Sequence, residues 1–241
     1  SIHADRILRE NNEKMRQEFT ANVSHELKTP LTSISGYAEL IETGIAKSAD
    51  VPEFGRKIHV EASRMIQLVN DILQLSHLDN VSETNDTPQM ETVDLLDVAK
   101  ECVERQKVNA QKSFISLTYL GESAPVLGSR SLLDELCQNL CDNAIRYNRP
   151  GGKVQLITAC TRDGHCTLTV KDNGIGIPKE AQSSVFERFY RVDKSRSKAT
   201  GGTGLGLAIV KHIARIHNAR IKLESQVEVG TTITVTFPTA S

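Results

Sequence analysis

A histidine with an acid beside it and a hydroxyl one helical turn on stands in the segment Ser24-His-Glu-Leu-Lys-Thr-Pro30. An imidazole nitrogen is a nucleophile near neutral pH. Glu26 can hold one ring nitrogen and sharpen the other, a base-plus-nucleophile arrangement. Thr29 shares the helix face of His25 and can place a water with its hydroxyl. Pro30 removes a backbone hydrogen bond in what reads as mid-helix, at a cost of ~3 kcal/mol, and should kink the helix just past His25. Spacing alone leaves a plainer reading open, that of a solvated surface histidine.

A second group of residues suits a nucleotide. Glu135, Asn139 and Asn143 form a polar stripe at helical spacing, followed by Arg146 and Tyr147. Asn is a poor helix former, so two on one face point to a task. Their side-chain carbonyls can take Mg2+ beside phosphate oxygens and water. Asp172-Asn-Gly174-Ile-Gly176-Ile-Pro178 follows a strand-like run. Its glycines admit close backbone approach, and a carboxylate at a strand end can accept the exocyclic amine of adenine. Gly201-Gly-Thr-Gly204-Leu-Gly206 leads into an apolar helix, where backbone N–H groups cradle phosphate. It is not the dinucleotide fingerprint, because no strand immediately precedes it and the GxGxxG spacing is not met. Between the glycine clusters, Phe186-Glu-Arg-Phe-Tyr-Arg191 and a basic, Ser-rich stretch to Lys198 read as a mobile lid. Arg188, Arg191 or Arg196 could meet phosphate charge there. Taken singly, each of these segments also reads as a solvated face or a glycine turn.

Two kinds of element must position these groups. Residues 1–45 read as one long helix, with apolar or near-apolar positions at Met15, Phe19, Val23, Leu27, Leu31, Ile34, Ala38 and Ile41. That is a coiled-coil seam, and it turns His25 toward water. Gly44 is a stop signal. Asp50-Val-Pro-Glu53 has capping-box form, and a second seam-bearing helix runs from there to about Asn80. One hairpin cannot bury both seams, so a dimeric four-helix bundle is expected. The run NVSETNDTP at 80–88 is the candidate linker. Beyond it come a helix over 95–112 with Asp94 as N-cap, a strand over 113–120 and a helix over 131–147. Strands over 153–160 and 165–171 are joined by Asp163-Gly164, a helix spans 204–218, and two strands close around Gly230. This pattern gives an α+β sandwich, with helices on one face of a mixed sheet.

Composition narrows the function classes. A chain of 241 residues is long enough for two domains. With 29 Lys+Arg against 30 Asp+Glu, nothing electrostatic calls for nucleic acid or a polybasic membrane contact. Aromatics are 4% and Trp is absent, which argues against stacking on bases. Cysteines at 102, 137, 141, 160 and 166 fit neither a disulfide framework nor a zinc site and read as reduced thiols. No stretch approaches the ~18 apolar residues of a membrane span, and no signal peptide opens the chain. The sequence starts mid-helix in character, so it is expected to be a piece of something longer.

In order and spacing, the motifs resemble those of the sensor histidine kinases of two-component systems, over about residues 15–237 and nearest the membrane-bound, phosphate-sensor-like type. SHELKTPL at 24–31 is similar to the H box, LCQNLCDNAIRY at 136–147 to the N box and VKDNGIGIP at 170–178 to the G1 box. FERFYRVD at 186–193 looks like the F box and GGTGLGLAI at 201–209 the G2 box. The resemblance implies a dimerisation hairpin over 1–82, in which 1–14 end an upstream signalling helix. It also implies a linker over 83–90 and a Bergerat-type α/β sandwich over 91–241 that binds ATP, as in heat-shock chaperones, mismatch-repair ATPases and type II topoisomerases. His25 would be the phosphoacceptor, Glu26 its base or orienter, and Thr29 the group that serves dephosphorylation of a partner. Asn143 with Asn139 would hold Mg2+, near Arg146 and Tyr147. Asp172 would read adenine, with Gly174 and Gly176 shaping the pocket. Arg191 and the lid residues Gly202, Thr203, Gly204, Leu205 and Gly206 would take the triphosphate.

The implied reaction is ATP-dependent phosphorylation of His25, then transfer to an aspartate of a response-regulator receiver domain. The protein would be a homodimer with no nucleic-acid partner. It would be a bacterial inner- or plasma-membrane sensor whose membrane segments lie outside this cytoplasmic stretch. Arg146 stands where Lys is commoner, and Ser129 stands where Asp usually precedes the N-box helix. An ATP hydrolase of the same superfamily is a rival reading. It would need a Glu one turn before the Mg-binding Asn, where this chain has Asn139, which cannot act as a general base. A nucleotide-sensing scaffold without turnover is a second rival.

Overall fold

The structure, a computed structural model, describes residues 2–84, 88–193 and 201–239, the side chains of 2–12 and 81–84 excepted. The chain divides into two compact units, Ser1–Ile72 and Leu73–Ser241.

In the first unit, the two seams become α1 (Ile2–Glu42) and the first part of α2 (Val51–Thr84). Gly44 turns the chain between them at φ 72°, a conformation glycine adopts without steric cost. The Tyr37 and Phe54 rings, 5.2 Å apart, pack across the hairpin, with the Lys57 ammonium 5.3 Å from the Tyr37 ring. α1 runs unbroken through Pro30. Around it the hydroxyls of Thr29, Thr32 and Ser33 donate to carbonyls four residues back, at 3.3, 2.8 and 3.4 Å. Such back-bonding bends a helix slightly. Met15 and Leu31 on α1 and Val60, Ile66 and Val69 on α2 remain exposed, an apolar stripe of the kind a partner helix covers.

The second unit begins ahead of the polar run, because the last turns of α2 bury Leu75 and Leu78 completely. It continues with β1 (Glu91–Asp94), α3 (Leu95–Lys112), β2 (Ser116–Gly121), β3 (Pro125–Gly128) and α4 (Arg130–Arg146). Then come β4 (Lys153–Cys160), β5 (Cys166–Asp172), a 3₁₀ turn at Lys179–Ala181, α5 (Gly206–Ile216), β6 (Arg220–Gln226) and β7 (Gly230–Phe237). Asp94 caps α3 as expected, accepting from the Leu96 N–H at 2.9 Å. The main sheet has the order β2-β4-β5-β7-β6, with β2 parallel to β4 and the other pairs antiparallel. β1 and β3, not foreseen from the sequence, form a separate two-stranded sheet. Alternate residues Val154, Leu156, Leu168, Val170, Val235 and Phe237 are buried, as are Leu133, Leu136 and Leu140 of α4 and Ile209 and Ile213 of α5. α4 packs between α3 and α5 and against β4 and β5, so its polar stripe meets the start of α5.

The reading of all five cysteines as thiols is corrected at two of them. Cys160 and Cys166 are direct antiparallel partners in β4 and β5 and are joined as a disulfide, their Cα atoms 4.1 Å apart. The hairpin register creates a proximity that the spacing of six residues does not announce. Cys102, Cys137 and Cys141 are free and buried.

His217, just past α5, is buried and linked by two hydrogen bonds. Nε2 accepts from the Ser129 N–H at 3.0 Å, and Nδ1 donates to the Ile213 carbonyl at 2.8 Å. An acceptor nitrogen makes the ring neutral. Burial holds its pKa below the ordinary value. The unfolded chain therefore takes up the proton first as pH falls, and stability from this site is lost below the unfolded pKa, near ~6.5. We expect the melting temperature to drop between about pH 7 and about pH 5, and His217→Gln to remove part of that slope in thermal melts.

Candidate active site

His25, Glu26 and Thr29 lie in the first unit and the remaining candidates in the second. His25 is exposed on α1, and its side chain takes no hydrogen bond among the described residues. Glu26 does not hold the imidazole in this structure. Its carboxylate approaches Arg64 Nη2 on α2 at 4.0 Å. Neighbouring helix residues diverge by ~100°, so their side chains do not face each other. Thr29 Oγ1 donates to the His25 carbonyl at 3.3 Å, which leaves its oxygen lone pairs to accept from a water.

In the second unit the other candidates converge through Tyr147. Gly206 opens α5 directly against the Asn stripe. A Cβ on Gly206 would stand 2.9 Å from Asn139 Oδ1 and 3.8 Å from Asn143 Nδ2. Asn139 Nδ2 donates to the Glu135 carbonyl at 3.0 Å, which turns its oxygen toward Gly206. The Asn143 amide takes no hydrogen bond among the described residues. Among the described residues α5 has no side-chain N-cap, which leaves its first N–H groups available to an anion. A Cβ on Gly202 would lie 3.0 Å from the Tyr147 hydroxyl, and one on Gly201 would lie 3.7 Å from Arg146 Nη1. Arg146 is steadied by Asp142 at 2.6 Å.

The glycine loop is held from below. Thr203 is buried; its Oγ1 accepts from the Leu205 N–H at 3.3 Å and its carbonyl from Arg191 Nη2 at 2.9 Å. The Gly204 carbonyl accepts from the Phe189 N–H at 2.9 Å. Arg191 thus supports the loop backbone. Arg188 Nη2 donates to both oxygens of Asp79, at 2.7 and 2.9 Å. That carboxylate holds the guanidinium as an ion pair. Arg196, with the stretch 194–200, lies outside the described residues.

On the other side of Tyr147 stands the Asp172 turn. Oδ1 of Asp172 accepts from the N–H groups of Gly174 at 2.8 Å and Thr231 at 3.2 Å. Oδ2 has no partner among the described residues. Burial raises the carboxyl pKa, and the two backbone donors oppose the rise. Ile175 N–H donates to the Tyr147 carbonyl at 3.1 Å, and a Cβ on Gly174 would collide with that same carbonyl. Gly176, at φ 71°, packs onto the Gln226 carbonyl, where no side chain fits. Thr231 was not foreseen, because a backbone donor carries no side-chain signature. Its position just after Gly230 was the available signal.

The site therefore offers one free carboxylate oxygen, a row of open N–H groups at a helix start and two amides with hard oxygens. Those groups match the chemistry of a purine edge, a polyphosphate and a divalent cation.

Residues 15–81 match the model of the His Kinase A (phospho-acceptor) domain, and residues 128–241 that of the Histidine kinase-, DNA gyrase B-, and HSP90-like ATPase. The sensor-like histidine kinase SenX3 of Mycolicibacterium smegmatis is 43% identical over 230 residues, 94% of this chain. The chain spans only 58% of that relative's length. The mycobacterial sensor histidine kinase MprB is 32% identical with a TM-score of 0.54, over 62% of this chain and 97% of that one. Histidine kinase ThkA, solved in complex with the response regulator protein TrrA, shares the fold with a TM-score of 0.76 at 22% identity, over 96% of this chain and 64% of that one.

Proposed function

Because the chain belongs to the sensor histidine kinases, we propose that it phosphorylates its own His25 from ATP and passes the phosphoryl group to an aspartate of a response-regulator receiver domain. The observation that carries the reading is the uncapped start of α5 set against Asn139 and Asn143. This is an anion cradle and a hard-oxygen pair in one place, in a chain that also exposes His25, whose side chain takes no hydrogen bond among the described residues.

The purine amine donates to Asp172 Oδ2. The phosphates lie along the N–H groups of Gly202–Gly206, with Arg146 and Tyr147 beside them and Arg191 bracing the loop. A ring nitrogen of His25 attacks the γ-phosphorus in line, forming N–P as the bond to the ADP oxygen breaks. Glu26 exchanges Arg64 for the imidazole and takes up or orients its proton. The side-chain oxygens of Asn143 and Asn139 fit Mg2+, whose chemistry there is to neutralise phosphate charge. Thr29 orients the water for the reverse reaction, dephosphorylation of the regulator.

In this reading 1–82 form the dimerisation hairpin, 83–90 the joint and 91–241 the ATP-binding domain. The exposed stripe of Met15, Leu31, Val60, Ile66 and Val69 supports a homodimer. The ThkA complex with TrrA supports a receiver domain as partner. No described helix is long and apolar enough to span a bilayer. The test is incubation with Mg2+ and γ-labelled ATP. The expected label is acid-labile, alkali-stable and confined to the peptide that carries His25. Released phosphate without protein label would instead indicate a hydrolase.

A further inference from the structure

Ser225, near the end of β6, sits half-buried at the meeting point of three chain segments. Its Oγ accepts from the Ile177 N–H at 2.8 Å and donates to the Gly230 carbonyl at 3.0 Å, and it lies 2.8 Å from Thr231 Oγ1. A hydroxyl has one proton and two lone pairs. The proton goes to Gly230 and one lone pair to Ile177, so Thr231 must be the donor in the third contact. The hydroxyl is thereby saturated. Gln182 works on the same joint, its Nε2 donating to the carbonyls of Ile177 and Ser225, each at 2.9 Å.

Both ends of this network lead to Asp172. Thr231, fixed through its hydroxyl, gives its backbone N–H to Asp172 Oδ1. Ile177, fixed through its N–H, ends the Gly174–Gly176 turn whose first N–H goes to the same oxygen. The β6–β7 turn adds a further tie, from the Glu228 N–H to the Ile175 carbonyl at 2.9 Å. The carboxylate thus points its free oxygen in one direction because two backbone donors pin the other.

We infer that Ser225, assisted by Gln182, is a positioning residue for nucleotide selection: it aims Asp172 at the base and so sets the preference for adenine over guanine. This rests on the reading of Asp172 as the acceptor for the purine amine. A residue that merely stabilised the sheet would weaken binding of both nucleotides alike. One that aims Asp172 changes their ratio, because guanine presents a carbonyl where adenine presents the amine.

The experiment measures ATP and GTP dissociation constants by calorimetry on the full chain and on four variants. Removing a saturated hydroxyl leaves three polar groups short of a partner. Ser225→Ala is therefore expected to weaken ATP binding on the order of tenfold and to lower the ATP:GTP preference by a similar factor. Ser225→Thr, which keeps the hydroxyl, should restore the ratio. Gln182→Ala should shift it in the same direction by less, and carries the test should Ser225→Ala fail to fold. Asp172→Asn separates the layers. If it abolishes the preference while Ser225→Ala and Gln182→Ala leave it at the parent value, the positioning role is overturned. If Asp172→Asn itself leaves the preference unchanged, the adenine reading fails and the inference with it.

Discussion

Replacing His25 by Gln should abolish the acid-labile label from γ-labelled ATP, a loss limited only by the detection threshold, while ATP affinity stays within about twofold of the parent. The physical ground is the isolation of this side chain. His25 is exposed and takes no side-chain hydrogen bond among the described residues, so its removal takes nothing from the packing of α1. Exposed substitutions of this kind usually alter stability by no more than about 0.5 kcal/mol. Glutamine keeps the length and polarity of the side chain but has no basic nitrogen, so the N–P bond cannot form. The proposed nucleotide contacts lie wholly in the second unit, and calorimetry with ATP should read them as unchanged. Residual label on the His25→Gln chain would place the acceptor elsewhere.

The second large effect is expected at Asn143. Asn143→Ala should slow autophosphorylation on the order of a hundredfold, the scale on which single groups that stabilise transition-state charge act. The Asn143 amide has no hydrogen bond among the described residues, and the buried side chains of α4 around it, Leu136, Leu140 and Ala144, are apolar. Alanine is the better helix former, so the fold should be kept or slightly stabilised. A rate loss without a drop in melting temperature would therefore report lost ligand contact rather than unfolding. Asn143→Asp, which keeps an oxygen at the position, should retain more activity than Asn143→Ala and show an altered dependence on Mg2+ concentration. Equal rates for the parent and Asn143→Ala would remove this residue from the proposed Mg2+ ligands.

The seams of α1 and α2 were legible because a four-and-three spacing over 40 residues has one structural meaning. So was the β4–β5 hairpin, announced by alternation and by Asp163-Gly164. β1 and β3 were not. Each has four residues, too few for a period to show, and their pairing joins segments some 30 positions apart in register. The exposed histidine and the meeting of the Asn stripe with the glycine loop followed from helical geometry and motif order. The partner of Glu26, the pairing of Arg188 with Asp79 and the hydroxyl network at Ser225 did not. They depend on which side chains tertiary packing brings within 3 or 4 Å, and no local pattern encodes that.

Thr231, which gives Asp172 its second donor, belongs to β7, the strand that closes the main sheet between β5 and β6. Cys166 of β5 pairs with Phe237, and such distant pairings form late, because a long loop must be closed before any contact rewards it. The α1–α2 hairpin depends on neighbours close in sequence and can form early. During synthesis the helix that carries His25 would therefore exist before Asp172 had both of its backbone donors. A chain whose β7 has not docked holds Asp172 by one donor at most, so on the proposed reading of Asp172 selective nucleotide binding would report that folding has finished.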